Sequence, residues 1–147
     1  MDSADVKKKI VDYLNTHNIM TLATVQPDGL PSVRTLEYAS DGATVYFATF
    51  KSSRKVRDIQ QKPQVAYTVD EDYKDWMTIQ GVMIEGVATI LSDPAAMGQA
   101  AQVYIAKFPF VANFPPNPDL IFVKVEPVTG HYHDYTKGFN HSDVLSF

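Results

Sequence analysis

Thr44-Val-Tyr-Phe-Ala-Thr-Phe-Lys-Ser-Ser-Arg-Lys-Val-Arg57 is the stretch on which the reading of this chain turns. Its first part, residues 44–50, is apolar on both faces, as expected of a strand covered from both sides. A Ser-rich turn follows, and a short helix over about residues 53–61 opens with two adjacent cations, Arg54 and Lys55, and stops before Pro63. The macrodipole and the free N–H groups of a first helical turn favour negative charge. Lys51, Arg54, Lys55 and Arg57 crowd this place in a chain whose formal net charge is −4. An anion at the helix start, most simply a phosphate, makes electrostatic sense of the arrangement.

The segments on the amino-terminal side read as strands joined by tight turns. Val6, Ile10, Tyr13 and Leu14 recur at helical spacing, so residues 4–16 form an amphipathic helix with Ser3 or Asp5 as cap. Residues 19–26 run apolar into the turn Gln26-Pro-Asp-Gly29, and a second strand over 31–39 closes at Ser40-Asp-Gly42. With 44–50 these make three consecutive antiparallel strands. Pairing of the second and third through the Asp41-Gly42 turn puts Arg34 opposite Phe47 to Thr49, on the path to the cationic turn.

On the carboxyl side, Val65, Tyr67 and Val69 alternate as a fourth strand, and residues 70–75 are a polar, solvated loop without the spacing of a calcium loop. Residues 76–91 read as a long strand that Gly81 and Gly86 allow to bend or bulge. Asp93-Pro94 is the cap and first position of a helix running to about Lys107. The Pro-rich stretch 108–118 is a loop whose Phe108, Phe110 and Phe114 are too apolar for free solvent. Residues 120–126 alternate as a last main strand, and the aromatic tail 128–147 is expected to dock. The sum is a mainly β, six-stranded antiparallel barrel with a few short helices, and one domain over residues 1–147.

Composition narrows the classes of function. With 45% hydrophobic and 20% charged residues the chain is that of an ordinary soluble globular protein. Its negative charge argues against nucleic acid and anionic membrane as partners. No cysteine is present, which removes disulfides, thiolate nucleophiles and Cys-ligated zinc. No signal peptide or membrane-spanning run is visible, so a cytoplasmic location is expected. Dinucleotide, P-loop and nucleophile-elbow motifs are all missing.

An ordered series of short motifs carries a resemblance: Asp28-Gly-x-Pro31, Arg34-Thr-Leu, Tyr46-Phe-Ala-Thr49, Ser53-Arg-Lys55, Lys62-Pro-Gln-Val65 and Ile84-Glu-Gly86. In this order and spacing, over residues 19 to about 91, the chain resembles the pyridoxamine 5′-phosphate oxidase-like, FMN-binding split β-barrel proteins. The resemblance implies a split barrel with Greek-key connections and a homodimer holding each FMN in a cleft at the subunit interface. It implies that Arg54 and Lys55 hold the FMN phosphate with Ser53 at the turn. Arg34 and the backbone of Thr35, Leu36 and Glu37 would follow the ribityl chain and ring, with Ala48 and Thr49 lining the same site. The family places a flavin-contacting Gln just before its later Val-x-x-x-Gly segment; here Gly81 occupies that position and Gln80 stands one residue before it. Residues 103–118 and Trp76 are candidate interface or core material.

The chain departs from the true oxidases at their substrate-binding Arg-x-His-Asp-Arg stretch. Here the residues are His131-Tyr-His133-Asp-Tyr135, without either Arg, and the 94–108 helix lacks the Arg that would hold a substrate phosphate. Vitamin B6 oxidation is therefore not expected. On an extended strand His131 and His133 share one face, which makes them candidate ligands for a metal or haem, with exposed or interface histidines as the plainer reading. His17 has a simple role available at the end of the first helix.

The expected activity is an FMN-dependent oxidoreductase acting on a small, planar or electron-poor substrate. The flavin supplies the chemistry, so no acid–base triad is required. Reduced nicotinamide, NAD(P)H, is a candidate electron source without a dedicated motif. The alternatives are a flavin-binding protein without turnover, serving electron transfer or stress, and a haem-handling relative.

Overall fold

The computed structural model describes residues 1–147. Eight strands form one antiparallel sheet: β1 Ile19–Val25, β2 Pro31–Glu37, β3 Ala39–Asp41, β4 Thr44–Phe50, β5 Gln64–Asp70, β6 Gln80–Ile90, β7 Leu120–Asp134 and β8 Ser142–Ser146. Their order is β2-β1-β5-β6-β7-β4-β3, with β8 joined to β7. The sheet curls into a split half-barrel whose two ends, β2 and β3, are consecutive in the chain. Three helices pack on it: α1 Ser3–Asn15, α2 Arg54–Gln61 and α3 Pro94–Lys107.

Two strands more are present than the periodicity suggests, for identifiable reasons. Residues 31–39 divide at Tyr38, which is fully buried and whose hydroxyl donates to the Leu14 carbonyl at 2.8 Å. Anchoring that side chain under α1 turns the backbone, so that only Ala39–Asp41 pair with β4. The last main strand continues past Pro127, because the bulge between Glu85 and Gly86 absorbs the irregularity. A Cβ on Gly86 would collide with the Glu126 carbonyl oxygen, so the bulge needs glycine there. The tail docks, as expected, by pairing β8 along residues 129–133 of β7. Residues 76–78 are a 3₁₀ turn, leaving β6 to start at Gln80.

The core sits inside the curl. Met20, Leu22, Tyr67, Ile84 and Val125 point inward from successive strands, and α1 closes one end with Val6, Ile10, Tyr13 and Leu14. The N-cap of α1 is Asp2, whose carboxylate accepts from the Asp5 N–H at 2.9 Å, rather than Ser3 or Asp5. At the other end of α1, His17 Nδ1 lies 2.8 Å from the Tyr13 carbonyl, and Nε2 lies 2.6 Å from the Glu71 carboxylate. β4 is covered on both faces, as its sequence indicates: Phe47 enters the main core, while Tyr46 packs with Leu91 and Ala100 under α3. The last turn of α3 sends Lys107 across to α1. Its ammonium donates to the carbonyls of Leu14 and His17 and lies 4.0 Å from the centre of the Tyr38 ring. Burial pushes the Lys107 pKa down to about 8. No helix is long and apolar enough to cross a membrane.

Candidate functional site

Tyr38 creates the site. Upstream of it β2 pairs only with β1, and β4 beyond Tyr46 pairs only with β7. The free edges of β2 and β4 therefore bound a cleft that starts at Tyr38 and opens toward α2. Arg34 lies opposite Leu22 of β1, not opposite Phe47 to Thr49 as a β2–β4 hairpin would place it. The anchored Tyr38 ends that pairing before it can reach Arg34.

Arg34 nevertheless reaches α2 by another route. Its guanidinium donates to Thr24 Oγ1 at 2.7 Å and to Ser32 Oγ at 3.0 Å. Thr24 Oγ1 in turn donates to the carboxylate of Asp58 at 2.9 Å, and the Arg34 guanidinium stands 3.9 Å from the same oxygen. Asp58 is completely buried on the inner face of α2, and Arg57 reaches its other oxygen at 3.3 Å. From the β4 side, Lys55 Nζ donates to Thr49 Oγ1 at 3.1 Å, which lies 3.4 Å from Ser53 Oγ. The cluster thus brings together Arg34, Thr49, Ser53, Arg54 and Lys55.

Its electrostatics fit an anion. Arg34 and Arg57 stand 3.9 and 3.3 Å from one carboxylate, Asp58, and Arg54 and Lys55 add their charges beside Arg34. Burial lowers the pKa of Arg34, the Asp58 carboxylate opposes that, and the charge of Arg54 adds to it. Burial and the charge of Arg34 likewise lower the pKa of Lys55. Ser53, the N-cap of α2, makes no side-chain cap, and the first turn holds no acidic residue. Free N–H groups, a positive dipole end and mutually repelling cations meet at one spot. A phosphate there would relieve each of these costs, and the residues present fit the phosphate of FMN.

The deeper part of the cleft has a different character. Tyr104 of α3 spans it: its hydroxyl donates to the Glu37 carbonyl at 3.4 Å, while the Ala48 N–H points at the Tyr104 phenol oxygen. Burial, with help from the Glu37 charge, pushes the Tyr104 phenol up to about 12. Three residue steps along β2 take the strand from Arg34 to Glu37, roughly 10 Å at the rise of a β-strand. That spacing suits a phosphate at one end and a ring at the other. Leu36 packs against the core, and Thr35 projects from the opposite face of β2 to Arg34.

Gln80 and Gly81 stand apart from this cluster within one chain. Arg34 pairs with Leu22, Leu22 with Tyr67 and Tyr67 with Ile84, so they lie across the sheet on β6 and further along it. The Gln80 side chain accepts from the Tyr132 hydroxyl at 2.7 Å. His131 and His133 do share the outer face of β7, with ring centres 6.4 Å apart and planes at 14°. Burial and the neighbouring His131 lower the pKa of His133. His131 Nε2 lies 3.5 Å from the Glu85 carboxylate, and no group of three or more His, Cys, Asp or Glu is placed to hold a metal ion.

Sequence reasoning misses Thr24, Ser32, Asp58 and Tyr104. Asp58 four residues after Arg54 reads as an ordinary surface pair, and its burial is visible only once α2 is laid on β1. The signal for Tyr104 is that it is the one aromatic residue of α3.

Comparison with known proteins accords with this fold. The family profile described as pyridoxamine 5′-phosphate oxidase matches residues 6–134. General stress protein 26 of Bacillus subtilis is 28% identical over 127 residues, covering 86% of this chain and 87% of that protein. The crystal structure of general stress protein 26 from Bacillus anthracis is similar with a TM-score of 0.70 at 20% identity, over 97% of this chain and 98% of that one. A haem-binding protein from Mycobacterium smegmatis is similar with a TM-score of 0.79 at 15% identity, over 99% of this chain and 59% of that one.

Proposed function

The chain belongs to the pyridoxamine 5′-phosphate oxidase family, and from that premise we propose that it is an FMN-binding flavoprotein, an oxidoreductase passing hydride or electrons between a reductant and a small planar substrate. The observation that carries this reading is the uncapped, cation-rich start of α2 beside Arg34. Arg54, Lys55 and Arg34 hold the phosphate, with Ser53 and Thr49 beside them. The free edges at 35–37 and 48–49 offer backbone groups to the ribityl chain and ring. Bound flavin supplies the redox chemistry; the chain positions it and excludes water.

A single-domain homodimer completes the site in this reading, with Gln80 and Gly81 of one copy serving the cleft of the other. Support comes from the outer face of the sheet, where Ile19, Val33, Val87 and Val144 are exposed. NAD(P)H is the proposed reductant, a cytoplasmic location the proposed setting, and neither nucleic acid nor membrane a proposed partner. Reconstitution with FMN tests the core of the proposal. Arg54→Ala/Lys55→Ala should weaken FMN about 100-fold, two lost charge-assisted hydrogen bonds, and leave riboflavin nearly unchanged. Equal loss of both ligands would show that the phosphate lies elsewhere.

A second reading, haem handling, is favoured by the parallel His131 and His133 rings and by the resemblance in fold to a haem-binding protein. Haem titration of His131→Ala/His133→Ala decides it: unchanged binding discards the pair as ligands.

A further inference from the structure

A groove of about 620 Å³ runs between α3, the 3₁₀ turn Pro109–Asn113 and the end of β4. Its walls include Phe50, Tyr104, Phe108, Phe110, Phe114 and Leu120, and Glu37 is the one charged side chain among its lining residues. The rings lean on one another in tilted pairs, Tyr104 to Phe108 at 5.3 Å, Phe108 to Phe110 at 6.0 Å and Phe110 to Phe114 at 5.9 Å. Phe110 and Phe114 stay 58% and 62% exposed. Ring-to-ring packing holds the wall in shape without covering it.

The groove meets the cleft at defined atoms. Glu37 and Ala48 line it, and these are the residues that Tyr104 spans at the deep end of the cleft. We propose that this groove holds the flavin's reaction partner, a planar aromatic molecule that carries an N–H or O–H donor and no phosphate. The proposal rests on the flavin reading above. Aromatic walls favour a flat π-system by stacking and edge contacts. The volume suits a molecule of two or three fused rings. The Glu37 carboxylate accepts a donor at the rim and repels an anion. No Lys or Arg lines the groove, so nothing in it would hold a phosphate. The same chain that builds a phosphate site at α2 leaves its partner site without one.

Three probes separate these contributions: 2-naphthol, 2-methoxynaphthalene, in which the donor is capped, and 2-naphthyl phosphate. Each is titrated by calorimetry into the FMN-reconstituted protein, with FMN affinity and sedimentation measured alongside. We expect 2-naphthol to bind about tenfold more tightly than its methyl ether, and the phosphate to bind more weakly still. Phe110→Ala and Phe114→Ala should each weaken 2-naphthol about tenfold, with FMN affinity unchanged. Glu37→Gln should narrow the gap between 2-naphthol and 2-naphthyl phosphate. The assignment is overturned if 2-naphthol does not bind the FMN-loaded protein. It is equally overturned if the Phe variants leave 2-naphthol binding intact and instead shift a dimer to monomer, which makes the wall a subunit contact. A protein that takes up no FMN yet binds 2-naphthol in a Phe110-dependent way keeps the groove and loses the flavin reading.

Discussion

At the α2 end of the cleft polar side chains hold one another, through Arg34, Thr24, Asp58, Lys55 and Thr49. At the α3 end aromatic rings lean on one another and leave Phe110 and Phe114 largely in solvent. One end is a hydrogen-bonded frame around the buried Asp58, with its groups aimed in advance; the other is an apolar wall held by ring-to-ring packing, with few polar groups to satisfy. A frame of the first kind recognises one chemical group, because each donor needs its acceptor. A wall of the second kind accepts many flat molecules. In the proposed function, the contrast matches a cofactor phosphate at the α2 end and a variable partner at the α3 end.

The contrast can be broken by mutation. Asp58→Ala leaves Arg34 buried beside no carboxylate and Thr24 without its acceptor, so a loss of about 3 kcal/mol in unfolding free energy is expected. Urea denaturation measures it, and a loss comparable to that of an exposed site would show that the frame is not a frame. Lys107→Met probes the link between α3 and α1 through pH. With the folded pKa at about 8 and the ordinary value at 10.5, the unfolded chain binds the proton that the folded chain lacks between these values. Stability from this group is lowest below pH 8 and rises from pH 8 toward 10.5. The variant should lose that rise, read as the difference in Tm between pH 7.5 and 9.5. Phe114→Ser, at the exposed wall, should change stability by less than about 0.5 kcal/mol; a larger loss would mean the wall is part of the core.

Much of this was legible in the chain itself. The three helices fall within a residue or two of their periodic patterns, because each carries its own stop or start: Pro63 after α2, Asp93-Pro94 before α3. The cation-rich start of α2 was legible because charge at a helix start is a local signal. The pairing partner of Arg34 was not, because it depends on Tyr38 reaching α1, a contact between residues 24 apart. The extent of β7 was hidden by Pro127, which reads as a break until a bulge on the neighbouring strand accommodates it. The groove was hidden for the same kind of reason: its wall joins Glu37 to Phe114, which no local pattern connects.

β7 offers one edge to two different strands, β4 along residues 120–125 and β8 along 129–133. β8 contributes one buried side chain, Leu145, whereas β4 contributes Val45, Tyr46, Phe47 and Thr49. The two pairings can therefore open separately: unzipping β8 leaves every β4 ladder bond in place. In hydrogen exchange the amides of β8 should lose protection well before those of β4. β8 is thus a separable part of the sheet, able to open while the cleft bounded by β2 and β4 keeps its form.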